Sequence, residues 1–380
     1  MLADDKLAEG AHDPLVDGER IMRICNACRY CEGYCAVFPA MERRLQFTRS
    51  DLNYLANLCH NCGECHYACQ YSPPHEFDVN VPKRFAEIRA QTYRRYAWPA
   101  PLAAMFTRNG LAVSLVLVVI LVLAMVAATL VLGKSLVAAT ADPAGDFYRF
   151  MPHEVMAGVF GAVFVFVALA LGMGFVRFWR DMGESLAQFT RPDALRSALS
   201  DVLRLEYLDG KGAGCTYPGE ERSQARRWFH HLTFYGFALC FAATVAGTIY
   251  HYAFGWKAPY GYLSLPVVLG TLGGIGLLIG PAGLLRLRLR SDPATGDAGQ
   301  VGMDVAFIAL LFAASLTGLA LLALRDTSVC GLLLVIHLGV VMALFLTLPY
   351  GKFVHGIYRS AALVRYALEK TRPIANAGLD

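Results

Sequence analysis

The chain divides into two parts that differ in their pattern of hydrophobic and polar positions. Up to about residue 98 the sequence is polar, with short helical stretches such as Val81 to Tyr96, whose basic residues indicate a helix close to the membrane on the cytoplasmic side. Pro99 and Pro101 end that segment, because proline lacks an amide donor and disfavours helix before it. The pattern predicts a head, residues 1–98, and a linker, residues 99–110.

Beyond the linker come six long runs without Asp, Glu, Lys or Arg. Each run is long enough to span a bilayer, which takes about 20 residues of helix. In lipid the backbone must satisfy its own hydrogen bonds, so the runs are predicted to be helices. The predicted spans are about 111–133, 155–176, 231–251, 262–285, 305–324 and 329–351. The predicted fold is therefore mainly α: a small helical head, a six-helix transmembrane bundle (111–356) with a cytoplasmic loop (177–229), and a cytoplasmic tail (357–380).

Composition and charge support this division and orient it. Hydrophobic residues make up 56% of the chain and charged residues 17%, against about 25% charged in average soluble domains. With both termini inside, the inner segments after the first span carry seventeen lysines and arginines and the outer ones four, as the positive-inside rule requires. The N-terminus shows no signal-peptide pattern. We expect a multi-pass protein of the bacterial cytoplasmic membrane with both termini in the cytoplasm.

Eight of the eleven cysteines form two runs of identical spacing in the head. The runs are Cys25, Cys28, Cys31, Cys35 and Cys59, Cys62, Cys65, Cys69. This spacing wraps three thiolates around one cluster, while the fourth reaches across to the other cluster in two-cluster ferredoxins. The pattern predicts two [4Fe–4S] clusters in a ferredoxin-like head. Cys25, Cys28, Cys31 and Cys69 are predicted to hold one, and Cys59, Cys62, Cys65 and Cys35 the other.

Two other uses of clustered cysteines fit the spacing less well. Structural zinc sites take their thiolates in two separate pairs, and a redox dithiol needs a single Cys-x-x-Cys. The proline that commonly follows the fourth cysteine is replaced by Ala36 and Gln70, so the loops differ from the common pattern. His60, His66 and His75 lie nearby and are predicted to be hydrogen-bond donors or surface residues.

Histidines at the ends of two predicted spans indicate haem ligation. His230 and His251 bound the third span; His337 lies within the sixth and His355 just past it. At about 100° per residue, His337 and His355 project from one face, and His230 lies nearer than His231 to the face of His251. We predict that His230 pairs with His355 near the cytoplasmic surface and His251 with His337 near the outer one. Each pair would clamp one haem iron. The alternative is that such histidines lie at headgroup level.

The predicted membrane domain contains no Cys-x-x-Cys-His for covalent attachment, so the haem predicted there, one or two per chain, is b-type. The segment from His337 to His355 resembles the last haem-ligating helix of the cytochrome b subunit of respiratory nitrate reductase. The twin cysteine motif, Gly214–Pro218, Arg226–His231 and the six spans together resemble the tricarballylate-utilisation protein B family, also called CitB-type. That resemblance covers nearly the whole chain. It implies a protein that reoxidises the reduced flavin of a soluble tricarballylate dehydrogenase and passes the electrons to the membrane.

The expected function is electron transfer from a soluble flavoprotein dehydrogenase through two clusters and haem b to quinone. No catalytic site for an organic substrate and no nucleic-acid partner are expected. One alternative keeps the head but makes the membrane domain a haem-free anchor. A second is a di- or tricarboxylate transporter, which needs a cationic partner for carboxylates, and no predicted span contains Lys or Arg. The glycine-rich stretch Gly210–Gly219 is interpreted as a loop that docks a partner or covers haem.

Overall fold

A computed structural model describes residues 13–133, 136, 147–208, 214–216 and 218–372 of the 380-residue chain. The acidic N-terminal stretch, most of the first outer connection, part of the glycine-rich stretch and the end of the tail lie outside these residues. The described residues form α-helices joined by turns and short 3₁₀ segments, and a single β-bridge is the only strand-like pairing among them. The predicted fold, a helical head followed by a six-helix transmembrane bundle, is confirmed.

Five helices build the head, and their starts follow from capping residues. The Asp13 side chain accepts a hydrogen bond from the amide of Leu15, next to Pro14 at the first helical position. Thr48 and Asp51 form a reciprocal capping box at the start of the third helix. The head helices are α1 (Pro14–Cys28), α2 (Val37–Met41), α3 (Arg49–Leu58), α4 (Glu64–Tyr67) and α5 (Val81–Tyr96).

The predicted linker contains a short helix, α6 (Ala100–Arg108), and another, α9 (Pro192–Arg204), lies in the long loop. Six helices of the described chain are long and apolar enough to cross a membrane. They are α7 (Gly110–Val131), α8 (His153–Asp181), α10 (Ala225–Phe254), α11 (Leu265–Leu289), α12 (Val301–Ala323) and α13 (Cys330–Thr347). Several run beyond the uncharged stretches, because a helix can continue into water once its backbone bonds are made.

Helices α10 and α11 pack closely through glycine. A Cβ atom on Gly236 would lie 2.9 Å from the carbonyl oxygen of Gly273, and one on Gly273 would lie 2.8 Å from the amide nitrogen of Cys240. Small residues allow helix backbones to approach in this way, and van der Waals packing then holds the pair without a hydrophobic driving force. The contact fixes the position of α10, which carries His230.

The head and the inner ends of the bundle share one hydrophobic core. Phe178 and Trp179, at the end of α8, are fully buried together with Tyr54 and Phe85 of the head. The Trp179 indole also donates to the carbonyl of Ser185, 2.9 Å away, so its polar edge is satisfied. The head is thus packed directly onto the bundle.

The predicted tail, residues 357–380, is helical as far as Thr371 and belongs to the last helix, α14 (Val354–Thr371). Its Glu369 is 6% exposed and accepts hydrogen bonds from three side chains, two of the head and one of α14 itself. The donors are Arg44 at 2.5 Å, Tyr54 at 3.0 Å and Arg365 at 3.1 Å. A buried carboxylate needs such partners. The segment therefore anchors the head instead of trailing from the membrane.

Candidate functional site

The first three cysteines lie on one tight turn. Cys25 and Cys28 occupy the last turn of α1, three residues apart and hence on one face of the helix. Arg29 then adopts a left-handed conformation, φ 57°, and its amide donates to the carbonyl of Cys25, 2.8 Å away. This conformation ends the helix and turns the chain towards Cys31.

The thiols of this turn face a cavity of about 290 Å³ that two cysteines of the second run also line. The cysteines lining it are Cys25, Cys28, Cys31, Cys65 and Cys69. Burial, together with the neighbouring thiols of Cys69 and Cys28, raises the pKa of Cys31 to about 12. Thiols crowded in this way ionise only beside a positive charge, which iron supplies. The donor set and the cavity fit a cluster held by Cys25, Cys28, Cys31 and Cys69.

The remaining thiols gather at the end of α3 and around α4. Cys59 follows the last residue of α3 and is 7% exposed. Burial raises the pKa of Cys35, and the thiols of Cys62 and Cys59 add to the effect. Burial likewise raises the pKa of Cys65, whose thiol neighbours are Cys62, Cys59, Cys35 and Cys31. The eight cysteines thus lie in the two groups that the crossed pattern predicts; that each group holds a cluster stays a prediction.

Backbone amides point at two of the sulfur atoms. The Asn61 amide lies 3.3 Å from the Cys59 sulfur, and the Tyr71 amide lies 3.4 Å from the Cys69 sulfur. Hydrogen bonds to cluster sulfurs are one of the means by which a protein sets a reduction potential.

Across the described ranges, no three His, Cys, Asp or Glu side chains stand close enough to hold a single metal ion.

The described part of the glycine-rich stretch lies on the second thiol group. Cys215 pairs with Ser223 through two backbone hydrogen bonds of 3.1 and 3.0 Å. The Cys215 thiol, 1% exposed, lies beside the thiol of Cys62 and donates a hydrogen bond to the carbonyl of Leu208, 3.5 Å away. Arg226, at the start of α10, donates to the carbonyl of Asn61 at 2.9 Å. These contacts tie the start of α10 to the loop that carries Cys59 and Cys62, called the inner thiol loop below.

His230 of α10 and His355 of α14 face each other, with ring centres 6.1 Å apart and ring planes at 81°. Two imidazole nitrogens that bind one iron at about 2 Å each put the ring centres about 6 Å apart. His355 Nδ1 is hydrogen-bonded to the carbonyl of Lys352, which leaves Nε2 as the nitrogen free to bind a metal. Burial lowers the pKa of His355 well below its usual value, with Arg359 adding to the effect, so the ring is neutral, as ligation requires.

The two rings line a cavity of about 710 Å³ between the head and the inner end of the bundle. Phe234, Phe237 and Leu311 contribute apolar surface to it. The size, the apolar walls and the two opposed imidazoles fit a haem.

The head side of the same cavity is positively charged. Arg89 and Arg359 line it and both donate to the carbonyl of Cys59, at 3.1 and 2.6 Å. Burial lowers the pKa of Arg359 to about 10, and Arg89 contributes to the shift, yet the guanidinium stays charged at neutral pH. His60, directly after Cys59, also lines the cavity. One wall of the cavity is therefore built by the inner thiol loop.

The other predicted pair is not brought into direct contact. His251 stacks on His153 with ring centres 3.7 Å apart, and His337 Nδ1 lies 3.0 Å from the Thr317 hydroxyl. Among the described residues, His251 and His337 share no ring contact. His231 Nε2 lies 3.2 Å from the carbonyl of Arg204, away from His355. The second haem site stays a prediction.

Sequence reasoning missed two residues of this cavity, Arg89 and Arg359, and took His60, which is buried in its wall, for a hydrogen-bond donor or surface residue. A signal for one of them was present: Arg359 follows His355 by four residues and so lies on the same face of its helix. Arg226 precedes His230 by the same interval. A cation one turn from each proposed ligand was thus visible in the sequence, whereas Arg89 and His60 reach the cavity only through the packing of α5 and the cysteine loop.

Sequence comparison shows the family of the chain. The profile described as "Citrate utilization protein B" matches residues 105–376, and the profile "Citrate utilization protein B Fer4-like domain" matches residues 18–95. The chain belongs to the citrate utilization protein B family. A citrate utilization protein B of Escherichia coli is 54% identical over 363 residues, which cover 95% of this chain and 94% of that protein.

Membership of the citrate utilization protein B family confirms the resemblance to CitB-type proteins; the resemblance to the nitrate reductase subunit stays a prediction. The Fer4-like match contains all eight cysteines of the two runs. It indicates an iron–sulfur electron-transfer role for the head. No solved structure is significantly similar to the chain.

Proposed function

We propose that the protein passes electrons from a reduced soluble flavoprotein dehydrogenase, through two [4Fe–4S] clusters and one haem b, to the quinone pool. The observation that carries the proposal is the facing pair His230 and His355, 6.1 Å apart, on a cavity whose other wall is the Cys59 loop. A bundle that served only as an anchor has no need of two opposed imidazoles at this spacing. We take tricarballylate as the substrate of the partner dehydrogenase from the resemblance to tricarballylate-utilisation proteins; membership of the citrate utilization protein B family supports a tricarboxylate-utilisation role.

The exposure of the cysteines indicates which of the two thiol groups receives electrons first. The group of Cys25, Cys28, Cys31 and Cys69 is the outer one, since Cys28 is exposed and Cys25 half-buried. The group of Cys35, Cys59, Cys62 and Cys65 is the inner one, since Cys59 is buried and its carbonyl accepts hydrogen bonds from two arginines that line the cavity. The proposed donor therefore docks beside Cys28, and electrons leave the head beside Cys59.

In this transfer the chain itself holds the cofactors, orients their ligands and limits the access of water. When bound, the clusters and the haem accept and release single electrons. The cysteines hold the clusters, and the amides of Asn61 and Tyr71 donate to their sulfur ligands. Lys352 orients His355 through its carbonyl. The Cys215 segment lies against Cys62, where Thr216 donates to the Cys62 carbonyl at 3.4 Å, and limits the access of water to that part of the loop.

The six apolar helices are compatible with a multi-pass membrane protein. We place the head and both termini in the cytoplasm of a bacterium, on the side where seventeen of the loop lysines and arginines lie. A flavoprotein dehydrogenase made in the cytoplasm reaches the exposed Cys28 turn in this orientation. Quinone would take up electrons, with protons, where the haem cavity borders lipid.

A visible spectrum of the purified full-length protein, reduced minus oxidised, tests the proposal. The relay requires the sharp bands of a six-coordinate b-type haem together with the broad bleaching of iron–sulfur clusters. Iron–sulfur bleaching alone would support the haem-free anchor instead. The His230→Ala protein serves as the matched sample, since it must keep the cluster signal and lose the haem bands.

A further inference from the structure

The head-side wall of the haem cavity carries positive charge without a counter-ion. Arg89 is 5% exposed and donates to the carbonyls of Ala56 and Cys59, at 2.8 and 3.1 Å, and to the Asn61 side chain at 3.1 Å. Arg359 donates to the carbonyl of Cys59 at 2.6 Å. Neither guanidinium forms an ion pair within the part of the chain that the structure describes.

The carboxylates that line the cavity are engaged elsewhere. Asp304 pairs with Lys352 at 2.8 Å and with Arg288 at 3.2 Å. Asp297 accepts from the amide of Gly299 at 2.9 Å, and Asp201 accepts from the hydroxyl of Tyr207 at 3.4 Å. Because a buried charge without a partner is costly, two adjacent buried guanidiniums are expected to bind an anion.

His60 adds a second, independent observation. Its side chain is 6% exposed and lines the same cavity. Both ring nitrogens, Nδ1 and Nε2, are buried and have no hydrogen-bond partner among the described residues. Buried polar groups are normally paired, so an unpaired imidazole at the wall of a cavity indicates a missing polar ligand.

We propose that His60, Arg89 and Arg359 form a carboxylate site that receives the propionate groups of the haem. The proposal rests on the proposed function, in which His230 and His355 hold the iron of that haem in the same cavity. Arginine forks match carboxylates in a planar, two-point geometry, and the imidazole N–H of His60 supplies a further donor. Since both arginines also hold the carbonyl of Cys59, the propionate edge of the haem would face the inner cluster loop.

The test compares two haems that differ only in these carboxylates. The full-length chain is produced in a haem-deficient host and titrated with haemin or with haemin dimethyl ester, whose propionates are neutral, while Soret absorbance is followed. Wild type is expected to bind haemin more tightly than the ester. Arg359→Gln, and separately His60→Leu, should weaken haemin binding about ten- to a hundredfold and leave ester binding within about twofold. Arg359→Lys should restore part of the preference.

A matched control separates this effect from loss of folding. Arg365 is a partly buried arginine of α14 that pairs with carboxylates, among them Glu369 at 3.1 Å, and it does not line the cavity. Arg365→Gln should keep the wild-type preference for haemin over the ester, even if the protein is less stable. Equal affinity of wild type for haemin and ester would overturn the carboxylate site while leaving the proposed function standing.

Two further outcomes are distinguishable. If wild type bound neither haem, the proposed function would fail and the carboxylate site with it. A free tricarboxylate carries the same chemical group as the propionates, so haem-loaded protein is also titrated with citrate by calorimetry. We expect no binding, since the propionates occupy the site; citrate binding that Arg359→Gln abolishes would overturn the proposal.

Discussion

The imidazoles of His230 and His355 face each other across 6.1 Å although they come from two different helices, from the second turn of α10 and the first turn of α14. The spacing matches two rings that share one iron at about 2 Å from each nitrogen. The hydrogen bond from His355 to the Lys352 carbonyl directs one nitrogen of that ring away from the backbone. The two helices and this hydrogen bond thus set the positions of the rings.

Replacing either histidine with alanine should remove the haem. We expect His230→Ala and His355→Ala to lower haem content more than about tenfold, measured as pyridine haemochrome per chain, because each removes an iron ligand. His231→Ala is the neighbouring control, since its ring lies against the carbonyl of Arg204. A normal haem content in His355→Ala would rule out this ligand pair.

The crossed ligation of the two clusters predicts which cysteines act together. Cys69 lines the cavity of Cys25, Cys28 and Cys31, so Cys69→Ser should perturb the same cluster signal in electron paramagnetic resonance as Cys28→Ser. Cys35→Ser should perturb the other signal. Cys330→Ser, in a membrane helix, should change neither. If Cys25→Ser and Cys35→Ser lost the same cluster signal, the first four cysteines would hold one cluster together and the crossed assignment would be wrong.

Much of this arrangement was predictable from local sequence patterns. The cysteine spacing predicted the two groups of thiols, because a tight turn at Arg29 fixes which sulfurs can converge. Uncharged runs predicted the six spans. The five-turn interval from His337 to His355 predicted a shared face, but the structure divides this segment between α13 and α14, which end and begin around the turn at Gly351.

What the sequence could not supply were contacts between distant segments. The stacking of His251 on His153 depends on how α8 packs beside α10 and has no local signal. The burial of Glu369 depends on Arg44 and Tyr54, more than three hundred residues earlier. A charge-rich C-terminal segment therefore resembled a tail, although its carboxylate is satisfied inside the head.

The position of the inner thiol group predicts the order of electron transfer. Cys62→Ser removes a proposed ligand of the inner cluster and should slow haem reduction by reduced flavodoxin, a donor too large for the cavity. Dithionite, which is small, should still reduce the haem in the same variant. Stopped-flow absorbance measures both rates. Equal rates for wild type and Cys62→Ser with flavodoxin would exclude the inner cluster from the route.

The buried carboxylate of Glu369 predicts a large effect on the stability of the head. Glu369→Ala removes one carboxylate partner of Arg44 and of Arg365, which keep Asp51, and leaves the buried Tyr54 hydroxyl without its acceptor, so it should lower the free energy of local opening by about 1–3 kcal/mol. Hydrogen–deuterium exchange of α3 and α14 measures this. Glu19→Ala breaks the exposed pair with Arg23 and should cost less than about 1 kcal/mol. Similar exchange in both variants would contradict the anchoring role of α14.

Iron, acid-labile sulfide and haem, quantified on one anaerobic sample of the full-length protein, test the central claim most directly. Two cubane clusters and one haem predict about eight non-haem irons and about eight sulfides per chain, with one haem b. Zinc in place of iron and sulfide, or a full complement of iron and sulfide with no haem, would contradict the account.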